Sequence, residues 1–241
     1  MENHNLNSKT TRRAFLARCS KAGLSVAAAC TAGYLFYDPF GPKQSETNNK
    51  LVTLPDYSVP EQKGRMAIVK GDDRVKTINL ALKALGGIET IVKKGDKVLL
   101  KVNAAFATPP ALSATTSPVL VSEITRLCFK AGAKNVVVTD NPINDPASCF
   151  ALTGIESAAR SQGADVLLPE NAFFQPTTVK DAVLIKEWPI LFKPFEGINK
   201  VIGVAPLKDH HRSGASMTMK NWYGILGGRR NVFHQDIHNI I

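Results

Sequence analysis

From residue 65 onward the apolar positions fall into short continuous runs, separated by longer stretches with a helical period. Met66-Ala67-Ile68-Val69 reads as a strand. Arg74 to Leu85 sets Val75, Ile78, Leu82 and Leu85 on one face and stops at Gly86-Gly87, the pattern of an amphipathic helix closed by glycine. After the Lys94-Gly95-Asp96 turn, Val98-Leu99-Leu100 is a buried strand. Ser117-Pro118 opens the next helix with an N-cap and a first-turn proline, and Leu120, Ile124, Leu127, Cys128 and Ala131 share its inner face. Val136-Val137-Val138, a helix from about Phe150 to Ser161, and Val166-Leu167-Leu168 continue the alternation. Val183-Leu184-Ile185 and Ile190-Leu191-Phe192, around Trp188-Pro189, predict a hairpin or edge excursion, and Val201 to Ala205 returns as a central strand. Continuous apolar strands alternating with helices predict an α/β fold, a mostly parallel sheet with helices on both faces.

The segment before this domain has a different pattern. Thr11-Arg12-Arg13-Ala14-Phe15-Leu16 precedes an apolar run from Ala22 to Tyr37, with Arg18 and Lys21 adding positive charge. Paired arginines ahead of a short apolar stretch are the address of the twin-arginine export machinery, and the run is shorter than the roughly 20 residues a spanning helix needs. No clean small-x-small cleavage site follows, so residues 1–37 are expected to serve as a signal or to stay on as a membrane anchor. Residues 38–64 hold Pro39, Pro42, Pro55 and Pro60 among polar residues and read as a tether. Residues 65–241 are the domain. The expected location is across the cytoplasmic membrane, in the periplasm or on its outer face.

The chain carries a formal net charge of +10 and stays basic without its N-terminal segment. Such a surplus points to an anionic small molecule as partner. No run of Lys and Arg interleaved with aromatics occurs, so nucleic acid is not expected. Outside the N-terminal segment the cysteines are Cys128 and Cys149, too few and too far apart for iron–sulfur or C-x-x-C zinc ligation. Cys128 is read as core packing, with a Cys128–Cys149 disulfide as the alternative in an oxidising compartment.

Ligands of open parallel sheets bind beyond the carboxyl ends of the strands. There the chain places Lys101 and Asn103, then Thr115 and Thr116, then Asp140, then Lys208, His210 and His211, followed by Lys220, Asn221 and Arg229. Lys101, Lys208, Lys220 and Arg229 would supply positive charge to a carboxylate- or phosphate-bearing ligand, with Asn103, Thr115, Thr116, His210 and Asn221 as further ligand contacts. His211 is the acid–base candidate, since an imidazole titrates near neutral pH, with Asp140 orienting it. Adjacent residues of an extended segment point oppositely, so His210 and His211 cannot both enter the site. His234 and His238, spaced i, i+4, are the candidate metal ligands. The glycines match neither a dinucleotide fingerprint nor a P-loop.

Taken in order, Met66 to Gly71, Lys94 to Asn103, Ala114-Thr115-Thr116-Ser117-Pro118, Ala131-Gly132-Ala133-Lys134, Leu207 to His211, Met219-Lys220-Asn221-Trp222-Tyr223-Gly224 and Gly228-Arg229-Arg230 resemble the domain of unknown function family 362, from about Arg65 to Ile241. The resemblance implies an α/β domain with no settled activity, joined in some relatives to iron–sulfur ferredoxin modules, whose cysteines are lacking here. It also implies a pattern continuing past Ile241, hence a chain truncated at its C-terminus. The His, Lys and Gly-Gly-Arg run is distantly similar to nickel-pincer lactate racemases, which keeps open a metal or a tightly bound small molecule as cofactor. The function expected is that of an exported enzyme or cofactor protein with a cationic, histidine-rich pocket; the alternative is a non-catalytic ligand-binding or envelope-interaction module.

Overall fold

The computed structural model describes residues 11–36, 54–179 and 182–236. The chain divides into two compact units, Met1–Lys43 and Gln44–Ile241. In the first, helix α1 (Arg12–Leu35) begins at Thr11, whose Oγ1 accepts a hydrogen bond from the Ala14 N–H at 3.3 Å. No described helix is long and apolar enough to cross a membrane. A spanning anchor built from α1 therefore finds no support.

The second unit runs α2 (Arg74–Ala84), β1 (Lys97–Lys101), α3 (Pro118–Lys130), β2 (Asn135–Thr139), α4 (Pro146–Leu152), α5 (Ile155–Ser161), β3 (Asp165–Val166), β4 (Phe174–Thr177), β5 (Trp188–Leu191), β6 (Lys200–Gly203), β7 (Lys208–His210), β8 (Gly214–Ser216) and α6 (Thr218–Asn221). Four strands form one parallel sheet in the order β3-β2-β1-β6. The expected α/β fold is thus present. Crossovers from β1 to β3 travel one way along the sheet and β6 lies on the other side of β1, so the strand order reverses between β1 and β6. A crevice opens at such a reversal, beyond the strand ends.

Period-2 alternation divides β1 between two cores. Val98 and Leu100, with Val102 beyond the strand, pack among Val121, Ile124, Leu127, Val136, Val138 and Phe150 under the α-helices. Leu99 faces the other way, into Trp188, Ile190, Leu191, Phe195, Ile225, Leu226 and Phe233. That second cover consists of the antiparallel β4–β5 ribbon and short 3₁₀ turns rather than long helices.

Several elements differ from the sequence expectation. Residues 66–69 form no strand; Ala67 and Val69 are half-buried while Met66 and Ile68 are exposed, so the segment is extended without a ladder partner. The helix expected over Phe150–Ser161 is two helices, broken at Gly154, where φ is +71° and only glycine is unstrained. Val201–Gly203 lies on the sheet edge, not at its centre, and is accordingly only half-buried. The partner of Trp188–Leu191 is Phe174–Thr177 rather than Val183–Ile185, with Pro176 opposite Pro189, a pairing that demands no N–H from either. Cys128 and Cys149 are both buried free thiols, and burial pushes the Cys128 thiol up to about 12.

Phe150 is fully buried in the helical core. Replacing it with alanine should lower unfolding free energy by about 3–5 kcal/mol, measured as a reduced urea midpoint with an unchanged slope.

Candidate functional site

At the carboxyl ends of β1 and β2 the chain turns polar. Lys101 closes β1 with its side chain 1% exposed, and its Nζ lies 2.7 Å from Oδ1 of Asp140, the residue that follows β2. The same ammonium donates to the Val102 carbonyl at 2.7 Å and to Asn221 Oδ1 at 3.2 Å. Three acceptors thus meet three protons. Asp140 Oδ2 accepts from the Ala104 N–H at 2.7 Å. Burial pushes the Lys101 ammonium below its ordinary range, Asp140 opposes that shift, and Arg230 adds to it. Lys101 is therefore a cation of the site's floor, out of reach of a ligand.

The floor is closed from above by the segment after α6. Asn221 Nδ2 donates to the Lys101 carbonyl at 3.1 Å, and its Oδ1 also accepts from Asn103 Nδ2 at 3.2 Å. Gly224 follows in a 3₁₀ turn and passes so close that a Cβ there would run into Asp140 Oδ1 and come within 2.8 Å of Lys101 Nζ. Its carbonyl accepts from the Asn141 N–H at 2.9 Å. The second cover anchors this segment: Trp188 Nε1 donates to the Gly227 carbonyl at 3.0 Å and the Gly227 N–H to the Pro189 carbonyl at 2.8 Å. Thr116 stitches the reversal point itself, accepting from the Asn103 N–H at 2.8 Å and donating to the Val204 carbonyl at 2.5 Å. Thr115 is buried beside it.

Above the floor stand cations with no carboxylate in their hydrogen bonds. Lys208 Nζ donates to Asn103 Oδ1 at 3.1 Å and the Ala114 carbonyl at 2.9 Å. One asparagine amide therefore links Lys208 to the Asn221–Lys101 network, which brings together Lys101, Asn103, Thr116, Asp140, Lys208 and Asn221. Arg230 donates to the carbonyls of Asn141 at 2.8 Å, Leu226 at 3.2 Å and Pro142 at 2.8 Å. Lys220 Nζ sits 4.4 Å from the centroid of the Tyr223 ring and 3.5 Å from His234 Nε2. Lys208, Lys220 and Arg230 are all held below their ordinary values by burial first; Asp140 opposes this at Lys208 and Arg230, and neighbouring positive charge adds to it at the two lysines.

The imidazoles have fixed roles. On β7, Lys208 and His210 are two residues apart and share the half-buried side, whereas Asp209 is exposed. The Ser213 backbone N–H donates to His210 Nδ1 at 3.2 Å, and the Ser213 hydroxyl lies 2.9 Å from the same nitrogen; with the backbone donor in place the neutral ring keeps its proton on Nε2 and the hydroxyl turns its own proton to Nδ1. Tyr223 donates its hydroxyl proton to the Arg230 carbonyl, which can only accept, and its oxygen then takes the proton of His234 Nδ1 at 2.9 Å. That leaves the lone pair of His234 Nε2 toward Lys220. His210 and His234 stack with centroids 5.6 Å apart. Both rings are held below the ordinary imidazole value by burial first and then by Lys220.

Expected residues outside this arrangement need correction. His211 is exposed and stacks on the outer side of His210 at 5.3 Å, while both oxygens of Asp140 are engaged by Lys101 and Ala104, so the proposed His211–Asp140 partnership is not formed. Arg230, next to the expected Arg229, is buried with its guanidinium on the Asn141, Leu226 and Pro142 carbonyls and within the field of Asp140. His234 has both ring nitrogens engaged, and His238 lies outside the described residues. Among the described residues no group of three His, Cys, Asp or Glu side chains could hold a metal. Arg230, Tyr223 and Gly224 were missed as site residues, although the Trp222-Tyr223-Gly224 and Gly228-Arg229-Arg230 runs marked their neighbourhoods.

A family model described as a domain of unknown function, DUF362, matches residues 98–241, the stretch from β1 through the whole cluster. The chain belongs to the DUF362 family. A Synechocystis sp. protein described as thylakoid-associated is 28% identical to this DUF362 chain over 157 residues, covering 65% of this chain and 47% of that protein. The DUF362 chain therefore spans about half the length of the relative it matches. No solved structure matches it.

Removing one partner of the buried pair strands the other. Asp140→Asn should cost the DUF362 domain about 3–5 kcal/mol, and Lys101→Met combined with Asp140→Leu should recover most of it. Chemical denaturation of the three proteins checks this, and a double variant no more stable than Asp140→Asn would refute the pairing's role.

Proposed function

We propose that this is an exported protein whose α/β domain binds a small ligand bearing a carboxylate or phosphate group at the reversal point between β1 and β6, with Lys208, Lys220 and Arg230 supplying the charge. The observation that carries the reading is the balance of the cluster: Asp140 is matched to Lys101, and the hydrogen bonds of the three remaining cations go to carbonyls, an amide and an imidazole. An oxyanion is the complement of that field. Burial is the first cause that holds Lys208, Lys220, His210 and His234 below their ordinary values, and a bound oxyanion would offset both that and the positive neighbours that add to it.

The same geometry supports proton transfer on the bound ligand. His234 Nε2 presents a lone pair next to Lys220, and the Tyr223 hydroxyl holds the ring in that tautomer. In an enzyme His234 would take the acid–base role assigned from sequence to His211 once Lys220 turned its proton to the bound anion and freed Nε2. A non-catalytic reading draws on a separate observation, namely that Lys208 and His210 offer donors alone, which suffices for holding an anion. Turnover separates the two.

Replacing Lys208 by methionine keeps its apolar stem and deletes its charge. Anion affinity should then fall about ten- to a hundredfold while the thermal midpoint stays close to that of the parent. Lys130, exposed on α3, is the control, and equal losses at Lys208→Met and Lys130→Met would reduce the site to general surface charge. Titration calorimetry at two salt concentrations reads both.

Export by the twin-arginine route rests on Arg12 and Arg13 ahead of the apolar part of α1. The thylakoid association stated for the Synechocystis sp. relative accords with work at a membrane. Arg12→Lys with Arg13→Lys should retain a reporter fused after Tyr37 in the cytoplasm. Continued export of the double variant would refute the route.

A further inference from the structure

The donors left over once the protein's own hydrogen bonds are made define the ligand more narrowly than charge alone. Lys208 Nζ spends two protons, on Asn103 Oδ1 and the Ala114 carbonyl, and has one left. Lys220 Nζ spends one on His234 Nε2 and has two left. His210, with Nδ1 capped by the Ser213 N–H, directs an Nε2–H outward. Arg230 spends its terminal nitrogens on three carbonyls and contributes mainly field. Three separate groups thus present protons, and the lone pair of His234 is already covered by Lys220. Nothing in this set accepts.

We infer that the ligand is a tetrahedral dianion, a phosphoryl group or a free sulfate ion, held by Lys208, His210 and Lys220 together. This rests on the anion-site reading above. A single carboxylate carries one charge, leaving one of the two ammoniums unmatched. A tetrahedral dianion offers three outward oxygens and two charges on one centre, which meets the donors of β7 and α6 at once. A site made only of donors has no acceptor for the proton of a hydrogen phosphate, which must turn out to solvent, so the site should bind sulfate at least as tightly as phosphate.

Sulfate is the sharpest probe because its charge is constant across the neutral range. In titration calorimetry on the full chain at fixed ionic strength, sulfate should bind at least about tenfold more tightly than acetate or succinate, which corresponds to one good charge-assisted contact. Phosphate at pH 8 should bind more tightly than acetate and no more tightly than sulfate. Methyl phosphate against inorganic phosphate tells an esterified group from the free ion, and tight binding of either counts for the dianion.

Acid should strengthen sulfate binding. The groups facing His210 are Lys220, Lys208, His211 and His234, which disfavour its protonation, with Asp209 alone favouring it. A bound dianion reverses that balance, so a proton is taken up and affinity rises as pH falls below the ordinary imidazole value of 6.5. His210→Gln retains a donor near the Nε2 position without a titrating ring. It should show a flatter pH profile of sulfate binding than the parent.

Acetate or succinate binding within about threefold of sulfate would overturn the dianion while leaving the anion site standing. Failure of every anion to bind, or undiminished sulfate binding by Lys208→Met and Lys220→Met proteins of normal thermal midpoint, would remove the underlying site as well.

Discussion

At the ends of two adjacent parallel strands a lysine ammonium and an aspartate carboxylate lie 2.7 Å apart, with side chains 1% and 3% exposed. Charges so buried are tolerable only when paired and fully hydrogen-bonded, because each alone loses its hydration without return. The surroundings follow from that constraint. Asn221 has to reach Lys101, the Ala104 N–H has to face Asp140, and residue 224 has to lack a Cβ so that the chain can close over the pair. The ion pair ties β1, β2 and the segment after α6 into one unit.

The second cover of the sheet then acquires a purpose beyond burying Leu99. Its hairpin, β4–β5, holds the 226–227 segment through Trp188, Pro189 and an isolated bridge between Ile190 and Leu226. That segment carries Tyr223 and Gly224 on one side and Arg230 on the other. Apolar packing around Trp188 and Phe233, whose rings meet edge to face at 4.6 Å, therefore sets the positions of polar groups some distance away. Packing on this face and charge in the site are one arrangement. The hairpin β7–β8 supplies the rest, since strand alternation turns Lys208 and His210 to one side together.

Much of this was legible in the chain. The α/β class followed from apolar runs alternating with helical periods, and a polar edge followed from the residues just beyond each run, where Lys101, Asn103, Thr116, Asp140, Lys208, Lys220 and Asn221 were all found. Periodicity worked where burial is two-sided, as in β1 and β2. It misled at residues 66–69 and at Val201–Gly203, because an apolar run marks a preference for burial without saying whether a neighbouring strand exists to pair with.

Roles within the site were decided by tertiary structure alone. Adjacent residues look alike in sequence, yet β7 ends at His210, which is half-buried, while His211 lies beyond it, exposed and stacked on the His210 ring, and the path after Gly228 buries Arg230 against the carbonyls of residues 141, 142 and 226. Lys101 and Lys208 have the same side chain at the same edge. One is surrounded by three acceptors and becomes structure; the other keeps a proton to give. Composition and local pattern determine which residues want burial and which carry charge, since those are properties of the side chains themselves. Which charge is spent internally and which is left for a ligand depends on distances between atoms remote in sequence, and only the folded chain sets those.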